Sequence, residues 1–199
     1  MTRGQARFKA GWLAALLMVG AFATALVTAR PAAAADPAVV YMSQVGRELM
    51  AAARSQSPGM IAQVIQKHGD VPFIALSALG SYRQRLTEAD KPEYIAGTAR
   101  FMARYAASKA PEYPVARVDW SNESIRGGNG ATYVDSTVTL RDGSSYEVRW
   151  LVRKVGSGYK VRDATVLGFW MTAQLKTMFE NYVSENGGNV RALTTVLNR

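Results

Sequence analysis

The sequence contains no cysteine and only one histidine, His68, among its 199 residues. The absence of cysteine excludes disulfide bonds, thiol catalysis and metal sites built from thiolates. A single histidine also argues against a zinc or haem site, because protein metal centres usually draw on several nitrogen or sulfur ligands. We therefore expect no metal and no cofactor, and a fold whose stability depends on its apolar core.

Acidic residues are also few, with 15 Asp and Glu against 24 Lys and Arg, which gives a formal net charge of +9. Residues 1–35 carry four of the basic residues and no acidic one, so the rest of the chain has a charge of +5. No block of Lys and Arg is present of the kind that follows a phosphate backbone, which argues against nucleic acid as a partner. The mild positive charge suits an anionic membrane surface or an acidic protein.

Residues 1–35 have the features of a secretory signal peptide. Basic residues come first, an apolar run from Ala10 to Val27 follows, and an alanine tract ends at Ala35. This order is typical of a signal peptide that is cleaved after small residues. An uncleaved membrane anchor is the alternative, because the run is near the lower length limit for crossing a bilayer. We expect cleavage, a single domain over residues 36–199, and export to a bacterial periplasm.

The period of the apolar residues divides the mature chain into a helical front and a stranded back. Spacing near 3.6 predicts helices over 37–56, 60–68 and 72–79, and a long helix that starts near Thr87 and ends at Pro111. After Pro114 the period changes to two, which predicts strands over 115–123, 131–141, 145–155 and 159–167. Two helices are predicted after them, over 169–184 and 188–197. This order predicts an α+β fold with a four-stranded curved antiparallel sheet and C-terminal helices over its concave face.

Alternation within the strands predicts that one face of the sheet is apolar and contains two tryptophans. Its predicted members are Val118, Trp120, Val134, Val138, Leu140, Tyr146, Val148, Trp150, Val152, Val161, Thr165 and Leu167. The other face is predicted to be basic and solvated. We expect the long helix and the helix from Phe169 to Phe179 to cover the apolar face. The large aromatic and flexible methionine side chains leave two interpretations open, a filled core or an apolar cavity.

Candidates for catalysis are weak. His68 precedes a glycine, so it is expected at a helix C-terminus, where a histidine interacts with the helix dipole; a general base is the alternative. Asp163 falls on the predicted apolar face, where a carboxylate needs hydrogen-bond donors. It is interpreted as structural, although cone-shaped NTF2-like or cystatin-like α+β domains do use such carboxylates in acid/base catalysis. The segment from Arg126 to Gly130 is interpreted as a hairpin turn because no helix follows it.

Several segments together resemble one known family. These are L-G-S-Y-R followed by L-T-E-A-D-K-P-E-Y within 79–94, the strand with Tyr146, Trp150 and Arg153, the turn G-S-G-Y-K-V-R-D over 156–163, and V-L-G before a helix with Phe179 and Tyr182. In order and spacing they resemble the MlaC family, also called the toluene-tolerance family, from about Pro37 to the C-terminus. The chain departs from the family pattern at Trp170, Leu175 and Lys176, and we expect the bulk of Trp170 to reshape the pocket.

The resemblance implies a periplasmic carrier that binds phospholipid acyl chains and moves lipid between the inner and outer membranes. It implies as partners an inner-membrane ABC transporter complex of the Mla type and an outer-membrane lipoprotein complex, with the carrier itself a monomer. A related branch accompanies hopanoid synthesis, so a polycyclic lipid is an alternative cargo. An NTF2-like enzyme that uses Asp163 and a structural periplasmic adaptor remain as rivals. The residues predicted to bind lipid are Phe73, Leu76, Phe101, Val118, Trp120, Val138, Val148, Trp150, Phe169, Met171, Leu175 and Met178.

Overall fold

The computed structural model describes residues 35–199, and the predicted signal peptide therefore lies outside the described residues except for Ala35. The first half of this region is helical: α1 spans Pro37–Arg54, α2 Pro58–His68, α3 Val71–Ala78 and α4 Lys91–Lys109, with a 3-10 helix at Gly80–Arg85. The second half contains strands β1 Val115–Trp120, β2 Ile125–Arg126, β3 Ala131–Leu140, β4 Ser145–Val155, β5 Gly158–Val166 and β6 Phe169–Trp170. Two helices end the chain, α5 Met171–Glu185 and α6 Val190–Leu197. The α+β prediction is confirmed.

Local sequence signals explain where the first helices begin. The side chains of Asp36, Ser57 and Asp70 accept hydrogen bonds from backbone N–H groups in the first turns of α1, α2 and α3, and each is followed by proline within the first two helical positions. Such caps satisfy donors that have no partner within the helix, and proline there loses nothing because its missing N–H would be unpaired anyway. Asp36 has a second task, since its other carboxylate oxygen accepts from the Ser124 backbone N at 2.9 Å and ties α1 to the segment after β1.

The strands form one curled antiparallel sheet in the order β1-β3-β4-β5-β6, and β2 pairs with β3 beside β1. The four predicted strands correspond to β1, β3, β4 and β5. The two-residue strands β2 and β6 were not predicted, because two residues are too short to show an alternating pattern.

Register confirms the apolar face over most of the sheet. Val118 lies opposite Val138, and Val134 opposite Trp150, so these side chains share one face. Arg149 and Asp135 are opposite each other on the other face, where the guanidinium donates to both carboxylate oxygens at 2.8 Å. The sheet therefore has one apolar face and one polar face, as the alternation predicts.

The prediction is wrong for the C-terminal half of β5. The β4–β5 register shifts between Leu151 and Val152, so that Leu151 pairs with Asp163 and Val152 pairs with Val161. A bulge of one extra residue reverses the alternation beyond it. Asp163 and Thr165 consequently lie on the polar face, and Ala164 and Val166 take the apolar positions. Leu167 is also not part of the apolar face, since it lies beyond β5 in a turn and is 67% exposed.

The apolar face is covered by α1, where we had expected α4 and α5. Ala38, Met42 and Val45 of α1 pack with Val134 and Val152 of the sheet in one buried cluster. Helices α4 and α5 instead share a second cluster with α3 and α6, built around Tyr94, Phe179, Val183, Leu193 and Leu197. The apolar stripes of α4 and α5 are therefore buried mainly against other helices. Periodicity alone does not indicate which element an apolar stripe packs against.

Candidate functional site

A cavity lies between the C-terminal half of α1, the segment 110–115 and the apolar face of β1, β3 and β4. Its volume is about 820 Å³. The wall is mostly apolar: Leu49, Met50 and Ala53 come from α1, and Pro111, Tyr113, Pro114, Val115, Val118, Trp120, Val138 and Trp150 come from the connection and the sheet. Small-molecule sites typically measure about 300–1,000 Å³ and are lined mainly by apolar side chains. The volume and the lining of this cavity are therefore within the range of small-molecule sites.

Two tryptophans form one wall of the cavity, and a buried serine orients one of them. The ring centroids of Trp120 and Trp150 are 6.0 Å apart, at an interplanar angle of 39°. Trp150 Nε1 donates to Ser136 Oγ at 3.0 Å, and Ser136 Oγ in turn donates to the Val148 carbonyl oxygen at 3.4 Å. Because the only polar atom of the indole is satisfied inside the sheet, Trp150 can turn apolar ring surface towards the cavity.

Gly46 lets α1 approach the sheet at Trp120. A Cβ atom on Gly46 would lie 2.6 Å from Trp120 Cζ2, closer than real Cβ contacts come. Glycine inside a helix costs about 0.5–1 kcal/mol relative to alanine, so a packing reason is expected for it. Here the reason is the indole ring, which occupies the space that a side chain would take.

The cavity meets solvent at a rim that carries Arg54, Gln56, Tyr113 and Arg141. Arg54 is the last residue of α1, and Arg141 follows β3 in the turn to β4. All four rim side chains are exposed. The site therefore combines an apolar interior with a polar, positively charged opening.

Four of the twelve residues predicted to bind lipid line this cavity: Val118, Trp120, Val138 and Trp150. Val148 is buried on the same face opposite Ser136, behind the lining.

Two other predicted residues, Phe101 and Met178, lie in a separate apolar groove of about 510 Å³ between α4, α5 and α6. Phe101 stacks on Tyr105 and meets Phe179 edge to face.

The other five are spread over the helices and the surface. Leu76 and Leu175 pack against the helical cluster. Phe73, Phe169 and Met171 are exposed, and the Arg162 guanidinium lies 4.2 Å from the centre of the Phe73 ring. The structure thus does not bring the twelve predicted residues together in one place. Helices α3, α4 and α5, which carry several of them, pack on one another, whereas α1 covers the apolar face of the sheet.

The residues that sequence reasoning missed are on α1 and in the α4–β1 connection. Leu49 and Met50 belong to the apolar stripe of α1, so the stripe was recognised while its partner was not. Ser136 was not predicted, although it lies between Val134 and Val138 at the same parity, and Gly46 gave only a weak signal as a glycine within a helical pattern. Trp170 was expected to reshape the pocket, but it is not among the residues that line the cavity. Its ring centroid lies 6.4 Å from that of Tyr133, a residue of the polar face.

Asp163 has a structural role in this geometry. Its Oδ1 accepts hydrogen bonds from the backbone N of Ala164 and of Thr172, each at 2.9 Å. Thr172 is the second residue of α5, so the carboxylate satisfies a donor at the start of that helix and also faces the positive end of its dipole. The interpretation of Asp163 as a structural hydrogen-bonding residue agrees with these contacts.

His68 ends α2, as the following glycine predicts, and it is buried between two side chains. Its Nε2 lies 2.8 Å from Glu48 Oε2, and its Nδ1 lies 3.1 Å from the Tyr41 hydroxyl. Hydrogen bonds from Lys67, and then from His68 and Gln44, lower the pKa of Glu48 to about 2. Burial, followed by the charge of Glu48, raises the pKa of Tyr41 to about 12. These contacts join α1 to α2.

Comparison with known proteins agrees with this fold. The sequence model of the MlaC protein family matches residues 42–199, which is most of the chain and all of its sheet. The chain belongs to the MlaC family. Among solved structures, this MlaC family member is similar to one described as the phospholipid-binding protein from Ralstonia solanacearum in complex with a phospholipid. The two share 20% sequence identity with a TM-score of 0.65, over 82% of this chain and 96% of the other.

No curated protein matches the chain. Within residues 35–199, no helix has both the length and the apolar character needed to cross a membrane.

Proposed function

We propose that this MlaC family member is a lipid carrier that holds phospholipid acyl chains in the cavity between α1 and the sheet. The observation that carries the proposal is the cavity of about 820 Å³ lined by Leu49, Met50, Trp120 and Trp150. Removing a methylene group from water is favourable by about 0.8 kcal/mol, so a two-chain lipid of about 30 methylenes has on the order of 24 kcal/mol to gain from enclosure. An apolar cavity that opens at a polar rim meets this need and leaves the headgroup outside.

The comparisons support the same function. Membership of the MlaC family supports a binding or transport protein rather than an enzyme, and the structural relative is described as bound to phospholipid. We further propose that residues 36–199 act as one lipid-binding domain in the periplasm. It would pass lipid between an inner-membrane ABC transporter complex and an outer-membrane lipoprotein complex. The secretory character of residues 1–35 supports this location.

An enzyme that uses Asp163 is not supported by the geometry. Asp163 lies on the polar face of the sheet, opposite Leu151, and its carboxylate caps α5. The cavity is on the other face, so Asp163 is not placed to meet a molecule bound there.

Filling the cavity tests the proposal. Ala53 lines the cavity from the last turn of α1, so we expect Ala53→Trp to occupy the volume that acyl chains would use. Ala51→Trp is the matched control, because Ala51 is exposed on the same helix and is not part of the lining. Purified protein would be extracted for lipid mass spectrometry and incubated with vesicles that contain a fluorescent phospholipid.

We expect the wild type and Ala51→Trp to carry phospholipid and to take it up from vesicles, and we expect Ala53→Trp to lose most of both. If the wild type carries no lipid and takes none up, the carrier function is wrong. If Ala53→Trp binds as well as Ala51→Trp, lipid is bound elsewhere, and the groove between α4, α5 and α6 becomes the next place to examine.

A further inference from the structure

The charged residues of the cavity are all of one sign. Among the lining residues, Arg54 and Arg141 are the charged ones, and no acidic side chain is included. Within residues 35–199 neither guanidinium has a carboxylate within salt-bridge distance. Two arginines elsewhere differ, since Arg149 is paired with Asp135 and Arg162 with Asp70.

The acidic residues nearest in sequence to this rim are already engaged elsewhere. Asp142 follows Arg141 directly, but its Oδ1 accepts from the Ser144 backbone N at 2.9 Å and from the Ser144 hydroxyl at 2.7 Å within the turn. Glu112, beside Pro111, accepts from Lys109 Nζ at 2.8 Å. Among residues 35–199 the two rim arginines therefore have no acidic partner, and their hydrogen-bond donors lie at the opening of an apolar cavity.

We propose that Arg54 and Arg141 bind the phosphate group of the lipid whose chains occupy the cavity. The assignment rests on the proposed carrier function and adds the chemistry of the headgroup to it. A guanidinium presents its donors in a planar fork that matches phosphate oxygens, and such charge-assisted bonds are stronger than neutral ones. When the acyl chains of a phospholipid lie inside the cavity, the phosphate at the other end of the molecule lies at the rim. An uncharged polycyclic lipid would fill the chamber and leave both arginines without an anion.

The test compares two lipids that differ only in the phosphate-containing headgroup. Delipidated protein would be titrated with fluorescent phosphatidylglycerol and with the diacylglycerol that has the same chains, both presented in neutral detergent micelles. For Arg54→Gln/Arg141→Gln we expect a loss of roughly tenfold in affinity for phosphatidylglycerol, since exposed charge-assisted contacts are each worth a few-fold. We expect unchanged affinity for diacylglycerol.

Two further variants serve as controls. Arg126→Gln/Arg153→Gln removes the same charge from exposed positions on β2 and β4 that do not line the cavity, and it should leave both affinities unchanged. Arg54→Lys/Arg141→Lys keeps the charge but loses the planar fork, so its affinity for phosphatidylglycerol should lie between those of the wild type and the glutamine variant.

Several results would overturn the phosphate assignment. Equal losses for both lipids would show that the arginines maintain the cavity, and no loss for either would show that they do not contact the headgroup. Unchanged affinity in micelles with weaker sedimentation on anionic vesicles would reassign the pair to the membrane surface. Saturable binding of inorganic phosphate in phosphorus NMR, lost in the glutamine variant while lipid affinity is unchanged, would reassign it to a free anion. If the wild type binds neither lipid, the carrier function itself fails, and the phosphate assignment fails with it.

Discussion

At the scale of single residues, the site depends on side chains that have no chemical role of their own. Gly46 leaves space for the Trp120 ring, and Ser136 accepts the hydrogen bond of the Trp150 indole. Both residues act by shaping the wall, so the cavity depends on them although they contribute little of its lining surface. Such residues are hard to recognise in a sequence, because glycine and serine also occur in turns and on surfaces.

We expect Gly46→Ala to destabilise the protein even though alanine is the better helix former. The new Cβ would lie 2.6 Å from Trp120 Cζ2, so either the ring or α1 must move. Overpacking of this kind costs about 1–3 kcal/mol, against a gain of about 1 kcal/mol in helix propensity. Urea unfolding would measure the stability, and tryptophan fluorescence would report a changed environment for the ring.

Gly59→Ala is the control for that substitution. Gly59 lies in the first turn of α2, where the nearest atom to a new Cβ is Ser57 Oγ at 3.7 Å. It should be neutral or stabilising by up to about 1 kcal/mol. If the two variants are equally stable, the Trp120 ring can move away from a Cβ atom at position 46 without lowering the free energy of unfolding.

At the scale of elements, the bulge in β5 changes which face of the sheet the following residues occupy. One extra residue between Val161 and Asp163 moves the carboxylate to the polar face, where it reaches the start of α5. Without the bulge, Asp163 would lie under α1 in apolar surroundings and would need other donors. The bulge and the helix cap are therefore two parts of one local arrangement.

We expect Asp163→Ala to lower the free energy of unfolding by about 1 kcal/mol, the usual effect of losing a helix cap. Asp163→Asn keeps an acceptor oxygen for the Thr172 N–H, so its loss should be clearly smaller. Asp119→Ala provides a control, because Asp119 is exposed on β1 and its salt bridge is with Arg117, which is also exposed. Urea unfolding and phospholipid uptake would be measured for all three.

Uptake should be retained by every Asp163 variant that is folded under the assay conditions. Loss of uptake in a stably folded Asp163→Asn variant would contradict a purely structural role for this residue.

At the scale of the whole molecule, two apolar clusters meet different needs. The helical cluster of α3, α4, α5 and α6 includes the fully buried residues Tyr94, Val183 and Leu197. The cluster between α1 and the sheet is smaller, and the cavity lies beside it. Helix α1 is held at its start by Asp36 and along its length by the contacts of Glu48 with Lys67 and His68. The larger of these two clusters therefore lies among the helices, and the cavity lies beside the smaller one.

The contacts of Glu48 predict a loss of stability in acid. Its pKa is lowered from the ordinary value of 4.5 to about 2, first by Lys67 and then by His68. A carboxylate with a depressed pKa in the folded state stabilises the fold above its unfolded pKa, and this contribution is lost as the pH falls through the folded value. The affected window therefore runs from about pH 4.5 down to about pH 2.

Glu48→Gln tests this contribution. We expect the variant to be less stable than the wild type at pH 7 and to lose less stability than the wild type between pH 5 and pH 2, as followed by urea midpoints at several pH values. Glu147→Gln is the control, since Glu147 is exposed on β4 and accepts a hydrogen bond from Thr137 Oγ1 at 2.8 Å. Parallel pH profiles for the wild type and Glu48→Gln would contradict the assignment.

Local patterns were sufficient to predict most of the elements. The switch from helical to alternating period near Pro114 located the boundary between helices and strands, and α1, α4, β3 and β4 begin and end close to the predicted positions. These properties depend on neighbours along the chain, since capping, turn residues and apolar period act over a few residues. The family resemblance depended on the same short segments and is confirmed.

Long-range contacts decided what the sequence by itself could not. Three features depend on residues that are far apart in the chain. They are the helix that covers the sheet, the face on which the residues of β5 after the bulge lie, and the aromatic residues that share a cavity. An apolar stripe specifies that it will be buried but not against what, because the hydrophobic effect has no direction. Sequence alone determined an α+β chain with one apolar sheet face, and tertiary packing decided that this face borders a cavity beside α1 with two arginines at its rim.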